Sequence, residues 1–247
     1  MRKFGLIGYP LSHSFSKKFF TEKFEHEQIE GCAYELYPIA DIGLFPKMIS
    51  GDRELCGINV TIPYKVQVLP YLNEMDEAST EIGAVNCISI IRNESGQWLK
   101  GYNTDAYGFE ESLKPLLEVH HRKALVFGDG GAAKAIKYVL NKLGISFLVV
   151  TRKPSASSIL YNEVDEAMLR EYTVLINTTP LGMSPDTDTY PDIPYGALNK
   201  NHVAYDLVYN PEETLFLKQV KEKGGKTKNG LEMLHLQAIR SWEIWNP

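Results

Sequence analysis

The amino-acid sequence predicts an α/β protein of two domains, and three observations carry that reading. Through the first hundred residues, apolar runs of strand length alternate with stretches of helical periodicity, the pattern of a mostly parallel sheet with right-handed crossovers and helices on its faces. A second series opens with Ala124-Leu125-Val126-Phe127, so apolar that both faces of its strand must be covered. No repeat, low-complexity tract or flexible linker divides the two series, so a helix over 105–117 is expected to join them. With 247 residues, 44% hydrophobic and 23% charged, the chain can bury two modest cores.

The elements follow in order. A strand is predicted at Phe4 to Gly8, a helix from Ser14, a strand at Tyr34 to Tyr37, a helix at Asp41 to Ile49 and a strand at Ile58 to Ile62. Within that last strand Asn59 and Thr61 alternate with Val60 and Ile62, so the polar pair should face one way and the apolar pair the other, with Pro63 ending the ladder. A helical stretch is expected over Met75 to Glu81. Strands at Ala84 to Ile91 and Trp98 to Tyr102 read as a hairpin turning through Asn93-Glu94-Ser95-Gly96. After Ala124 to Phe127 come a helix over Lys134 to Leu143 and a strand over Phe147 to Val150. The final helix, Leu231 to Trp245, has no strand after it and is expected to dock on the first domain. The domains are then 1–104 with 231–247, and 105–230.

Bulk properties exclude several classes. The formal charge of −5 is mild and the cations are scattered, so there is no footprint for nucleic acid. The N-terminus enters a strand pattern without a signal-like run, and nothing approaches the roughly 18 apolar residues of a membrane span. A cytoplasmic location is expected. Cys32, Cys56 and Cys87 lack the paired spacing of a zinc site or disulfide framework and read as buried thiols, and no metal is expected.

Chemistry concentrates at a few strand ends. Asn59-Val60-Thr61-Ile62-Pro63-Tyr64-Lys65 brings an ammonium to the end of a polar strand face, and Gly101-Tyr102-Asn103-Thr104-Asp105 brings a carboxylate to another. Together they form a pair suited to proton transfer. Gly128-Asp129-Gly130-Gly131-Ala132-Ala133 follows the buried strand directly and opens a helix, which is the Rossmann context for a dinucleotide pyrophosphate. Asp129 would repel that pyrophosphate unless its side chain points outward. At the end of the next strand stand Thr151-Arg152-Lys153 with no acid, favouring a 2′-phosphate and hence NADP over NAD.

These residues, together with several further motifs, resemble the shikimate dehydrogenase family over essentially the whole chain. The motifs are His13-Ser14-Phe15-Ser16, Asn59 to Lys65, Gly83-Ala84-Val85-Asn86, Asn103-Thr104-Asp105, the glycine loop, Asn177-Thr178-Thr179-Pro180-Leu181-Gly182-Met183, Asp206-Leu207-Val208-Tyr209-Asn210-Pro211, and Gly230-Leu231 with Met233, Leu234 and Gln237. The resemblance implies an N-terminal substrate domain, a Rossmann-type NADP-binding domain, and the reversible reduction of 3-dehydroshikimate to shikimate on the route to aromatic amino acids. It implies Lys65 and Asp105 as the catalytic pair. Ser14, Ser16 and Tyr209 become donors to the substrate carboxylate, and Asn59, Thr61, Asn86, Asp105 and Gln237 surround the ring hydroxyls. Gly128, Asp129, Gly130, Gly131, Ala132, Thr151, Arg152 and Lys153 face the nucleotide, Thr178, Leu207 and Gly230 line the nicotinamide side, and Glu77 touches the cofactor. The family often has Asn-Arg-Thr where this chain has Thr151-Arg152-Lys153, so the phosphate contacts must differ in detail.

Other readings stay open at this stage. Ser14 is also a natural helix N-cap, a role compatible with holding an anion. Lys65 can polarise the carbonyl rather than give a proton. A quinate-oxidising relative using NAD, a folate-type dehydrogenase and a non-catalytic dinucleotide sensor are the alternatives, and intact Lys65 and Asp105 argue against the sensor. A small-molecule substrate and a monomer or homodimer complete the expectation.

Overall fold

Parallel pairing of β1 (Arg2–Gly8) with both β2 (Cys32–Pro38) and β3 (Leu55–Val60) starts the fold, in a computed structural model that describes residues 1–11, 14–94, 96–153 and 156–247. Helices α1 (Phe15–His26) and α2 (Phe45–Gly51) make the crossovers. Next come α3 (Tyr64–Gln67), β4 (Glu74–Met75), α4 (Glu77–Ile82), and the antiparallel pair β5 (Cys87–Asn93) and β6 (Gly96–Tyr102). Among the described residues these strands form one sheet in the order β2-β1-β3-β5-β6-β4.

Alternation along β1 sends Phe4 and Leu6 into one apolar cluster and Ile7 into another, so both faces of the sheet are covered. One cluster gathers Phe45, Ile49, Ile58, Val60 and Ile88; the other holds Phe20, Phe24, Tyr34 and Trp245. Trp245 lies on Phe4 with ring centroids 4.9 Å apart and donates its indole N–H to the Ile88 carbonyl at 3.0 Å. Gly57 makes room for it, since a Cβ there would collide with the indole.

α5 (Thr104–Leu113) leads into a fully parallel sheet built from β7 (Lys123–Phe127), β8 (Ser146–Thr151), β9 (Ser158–Leu160), β10 (Val174–Asn177), β11 (Val203–Asp206) and β12 (Lys226–Lys228). The order is β12-β11-β10-β7-β8-β9. Counted from β7, that is the doubly wound 3-2-1-4-5-6 arrangement, which reverses direction between β7 and β10. Ala124 to Phe127 are fully buried, as their composition requires. α6 (Gly131–Lys142), α7 (Glu166–Glu171) and α8 (Leu215–Glu222) are the further helices of this part, and α9 (Leu231–Trp245) follows. The chain divides into two compact units, Met1–Thr104 with Gln237–Pro247, and Asp105–Leu236. No described helix is long and apolar enough to cross a membrane.

Several expectations need correction. The third strand stops at Val60 rather than Ile62, because the turn that brings in Pro63 begins two residues earlier, and Ile62 is 75% exposed instead of sharing the face of Val60. Asn59 and Val60 do face opposite ways, but both are buried. The stretch from Met75 is a short edge strand followed by a helix that begins only after Asp76 caps it. The hairpin strands run over 87–93 and 96–102, shifted from the predicted 84–91 and 98–102. Cys87 is buried, while Cys32 and Cys56 are partly exposed. His13 and Ser95, part of the expected motifs, lie outside the described residues.

Candidate active site

In the first unit polar residues of β2, β3 and α9 meet Asn86, just before β5, in a buried cluster. Asn59 is 5% exposed and fully engaged: Oδ1 accepts the Tyr34 hydroxyl at 2.8 Å, while Nδ2 donates to the Asn86 carbonyl at 3.2 Å and to Ser241 Oγ at 2.9 Å. Burial raises the Tyr34 hydroxyl well above its ordinary pKa, so it serves as a neutral donor. Asn86 grips Thr104 twice, its Oδ1 accepting the Thr104 N–H at 2.6 Å and its Nδ2 donating to Thr104 Oγ1 at 3.0 Å. Thr104 Oγ1 in turn donates to Gln237 Oε1 at 3.4 Å. Asp105 is the next residue, so the hold on Thr104 fixes the turn that carries it.

The remaining predicted residues of this unit sit close by in the chain. Ser14 caps α1, its Oγ accepting the Lys17 N–H at 3.3 Å, so the capping role is real. Ser16, half-buried in the first turn, hydrogen-bonds Tyr34. Thr61 follows β3 directly and is half-buried. Lys65 lies half-buried in α3, and its carbonyl accepts the Val85 N–H at 2.8 Å while Val60 N–H donates to the Asn86 carbonyl at 2.9 Å. The segments carrying Lys65 and Asn86 are therefore laced together by backbone. Glu77 is the exposed first residue of α4.

In the second unit the parallel strands bring their predicted residues to the C-terminal ends of the strands. Gly128 ends β7 at φ +97°, a left-handed conformation, and an added Cβ would lie 2.7 Å from Thr179 Cγ2. Gly130 caps α6 without a side-chain bond, and a Cβ at Gly130 or Gly131 would enter open space. With Ala132 beside them these glycines leave backbone amides at a helix N-terminus accessible to a pyrophosphate, so the residues fit a dinucleotide. Asp129 does turn aside, forming an ion pair with Lys137 at 2.5 Å. Thr151 closes β8 and its hydroxyl donates to the Lys153 carbonyl at 2.6 Å, shaping the turn that leaves Arg152 and Lys153 exposed. Thr178 follows β10, its N–H and its hydroxyl both donating to the Phe127 carbonyl, at 2.9 and 2.8 Å. Leu207 follows β11, and Gly230 is packed so closely on it that a Cβ would strike the Leu207 carbonyl. Tyr209 is 43% exposed in the loop beyond.

Two features escape sequence reasoning, the partners of Asn59 and the depth at which Asp206, quoted in a motif, is buried. Tyr34 and Ser241 complete the cluster around Asn59; Ser241 lies four residues after Gln237, one helical turn, and that spacing was the available signal. Asp206, fully buried, accepts from Thr214 Oγ1 at 2.6 Å, Asn177 Nδ2 at 2.9 Å and the Val208 N–H at 3.0 Å. Burial pushes its pKa up to about 6.

Comparison with known proteins agrees with this geometry. The model of the shikimate dehydrogenase substrate binding domain matches residues 6–88. A shikimate dehydrogenase (NADP(+)) of Carboxydothermus hydrogenoformans is 39% identical, covering 98% of this chain and 90% of the relative. The crystal structure of the Thermus thermophilus shikimate 5-dehydrogenase in complex with NADP(H) and shikimate superposes with a TM-score of 0.84 at 31% identity, over 100% of this chain and 94% of that one. The Listeria monocytogenes shikimate 5-dehydrogenase, in complex with shikimate and NAD, gives a TM-score of 0.86 at 25% identity, over 99% and 91% of the two chains. By sequence and by fold, this chain belongs to the shikimate dehydrogenase family.

Proposed function

We propose that the chain catalyses the reversible NADPH-dependent reduction of 3-dehydroshikimate to shikimate, a step toward chorismate and the aromatic amino acids. What carries the reading is near-full-length similarity to relatives of that name. In it, Met1–Thr104 with Gln237–Pro247 holds the substrate and Asp105–Leu236 holds NADP. Gly128, Gly130, Gly131 and Ala132 would cradle the pyrophosphate and Arg152 with Lys153 the 2′-phosphate. Three free thiols suit a reducing compartment, and we place the protein in the cytoplasm.

Bound NADPH supplies the hydride. Lys65 gives its proton to the oxygen of the carbonyl being reduced, and takes it back in the oxidative direction. Asp105, as a carboxylate, accepts a hydrogen bond from a substrate hydroxyl. Ser14, Ser16 and Tyr209 hold the substrate carboxylate, while Thr61, Asn86 and Gln237 meet the ring hydroxyls and fix which carbon faces the cofactor. The orientation matters because misplacing reacting atoms by about 1 Å costs about a hundredfold in rate.

The test is cofactor absorbance with shikimate and with quinate, each with NADP and NAD. Lys65→Ala should lower turnover by about a hundredfold or more with little change in KM for shikimate. Asp105→Asn should also slow the reaction, and the double variant should lose much less than the product of the single losses. Near-normal turnover in Lys65→Ala would remove it as the proton donor.

A further inference from the structure

We propose that Tyr34, Asn59 and Ser241 are positioning residues, a buried hydrogen-bonded chain that holds Ser16 at one end and Asn86 and Gln237 at the other without touching substrate. This rests on reading Ser16, Asn86 and Gln237 as substrate contacts. Tyr34 gives its only hydroxyl hydrogen to Asn59 Oδ1 at 2.8 Å, so in its bond with Ser16 it is the acceptor. Asn59 spends both amide hydrogens, one on the Asn86 carbonyl at 3.2 Å and one on Ser241 Oγ at 2.9 Å. Having no hydrogen left to offer a hydroxylated ring, Asn59 acts through its neighbours rather than as a donor to substrate.

Ser241 passes the constraint along α9. Its one hydrogen goes to the Gln237 carbonyl at 2.9 Å, while Thr104 Oγ1 lies 3.3 Å from Ser241 Oγ, 3.4 Å from Gln237 Oε1 and 3.2 Å from Asn86 Oδ1. Gln237 Oε1 is thereby turned toward Thr104. Asn59 also steadies Asn86 by its backbone carbonyl while Thr104 engages both ends of the Asn86 amide. A buried hydrogen-bonded web of this kind has few alternative arrangements, because each would strand a buried polar atom. The amides that meet the substrate are thereby set before it arrives, and preorganisation of that sort appears in affinity.

Tyr34→Phe removes only a hydroxyl and keeps the ring stacked on Phe20, whose centroid is 4.5 Å away. We expect KM for shikimate to rise about tenfold, kcat to stay within about threefold and KM for NADP to stay put. Ser241→Ala should do the same from the other end of the chain. The two residues meet through Asn59 and both lie beside Cys87, so the double variant should raise KM by far less than the product of the single effects. Unmoved KM in the single variants overturns the proposal even where thermal stability falls, because loss of folded protein lowers apparent kcat and leaves KM alone. Multiplicative KM effects overturn it too. Should Tyr34→Phe be recovered unfolded, Ser241→Ala alone decides by the same KM criterion. A wild-type chain that does not oxidise shikimate overturns the functional reading and the positioning role with it, whereas wild-type turnover with unmoved KM overturns the positioning role alone.

Discussion

Arg152 stands one residue past β8, exposed, in a turn shaped by the Thr151 hydroxyl. A side chain there reaches the adenosine ribose in this fold, and its planar cation matches a phosphate better than a neutral hydroxyl. Charge-assisted hydrogen bonds contribute about 1.5 to 3 kcal/mol, about ten-fold to more than a hundred-fold in affinity. Arg152→Ala should therefore weaken NADP by about tenfold or more while barely moving NAD, read as the ratio of kcat/KM for the two cofactors. Equal weakening would show that Arg152 does not read the phosphate. The place of Arg152 was legible in the sequence because it is set locally, by an apolar strand and its end. Tyr34 and Ser241 were not. Their partner Asn59 is 25 positions from one and 182 from the other, and neither side chain announces a polar web when its neighbours in sequence are Ala33 and Trp242.

Among the elements, the ends of β10 and β11 are tied by one carboxyl. Asp206 binds Asn177 at the end of β10 and Thr214 at the N-cap of α8, so it braces the loops that carry Thr178, Leu207 and Tyr209. Because burial lifts its pKa to about 6, the folded protein holds that proton where the unfolded chain has lost it. The sign follows directly: its contribution to stability is fully present below about pH 4 and is lost as pH rises through about 6, by at most about 3 kcal/mol. Relative to Asp206→Asn, wild type should thus lose stability across that window, measured by urea unfolding at each pH. Parallel curves would mean the carboxyl does not titrate there. Element types were readable from period and composition, whereas boundaries were not: β3 stops short of Ile62 because the turn before a proline begins earlier than apolar alternation can reveal. Asp206 was visible as part of a motif, but its depth was not, since it depends on β10 beside its strand and on Thr214, eight residues further on.

At the scale of the whole molecule, the first unit is made from both ends of the chain. Trp245, 4% exposed, fills the space left by Gly57 and lies on Phe4. Trp245→Ala should cost about 3–5 kcal/mol in the first unit, seen as an earlier transition on denaturant unfolding. A cost below about 1 kcal/mol would mean the helix end is not part of that core. The docking of the last helix on the first unit was an inference by elimination, from an apolar helix with no strand to follow it. Its partners Phe4 and Ile88 could not be read off, because nothing local selects one apolar surface over another. The arrangement also has a consequence in time. At synthesis rates of roughly 5 to 20 residues per second, a chain that has reached Thr104 waits roughly 7 to 30 seconds for Pro247. Asp105–Leu236, continuous in sequence, is complete before Trp245 leaves the ribosome, so the half of the protein begun first is the half finished last, and its open apolar face must be shielded by chaperones or tolerated during that interval.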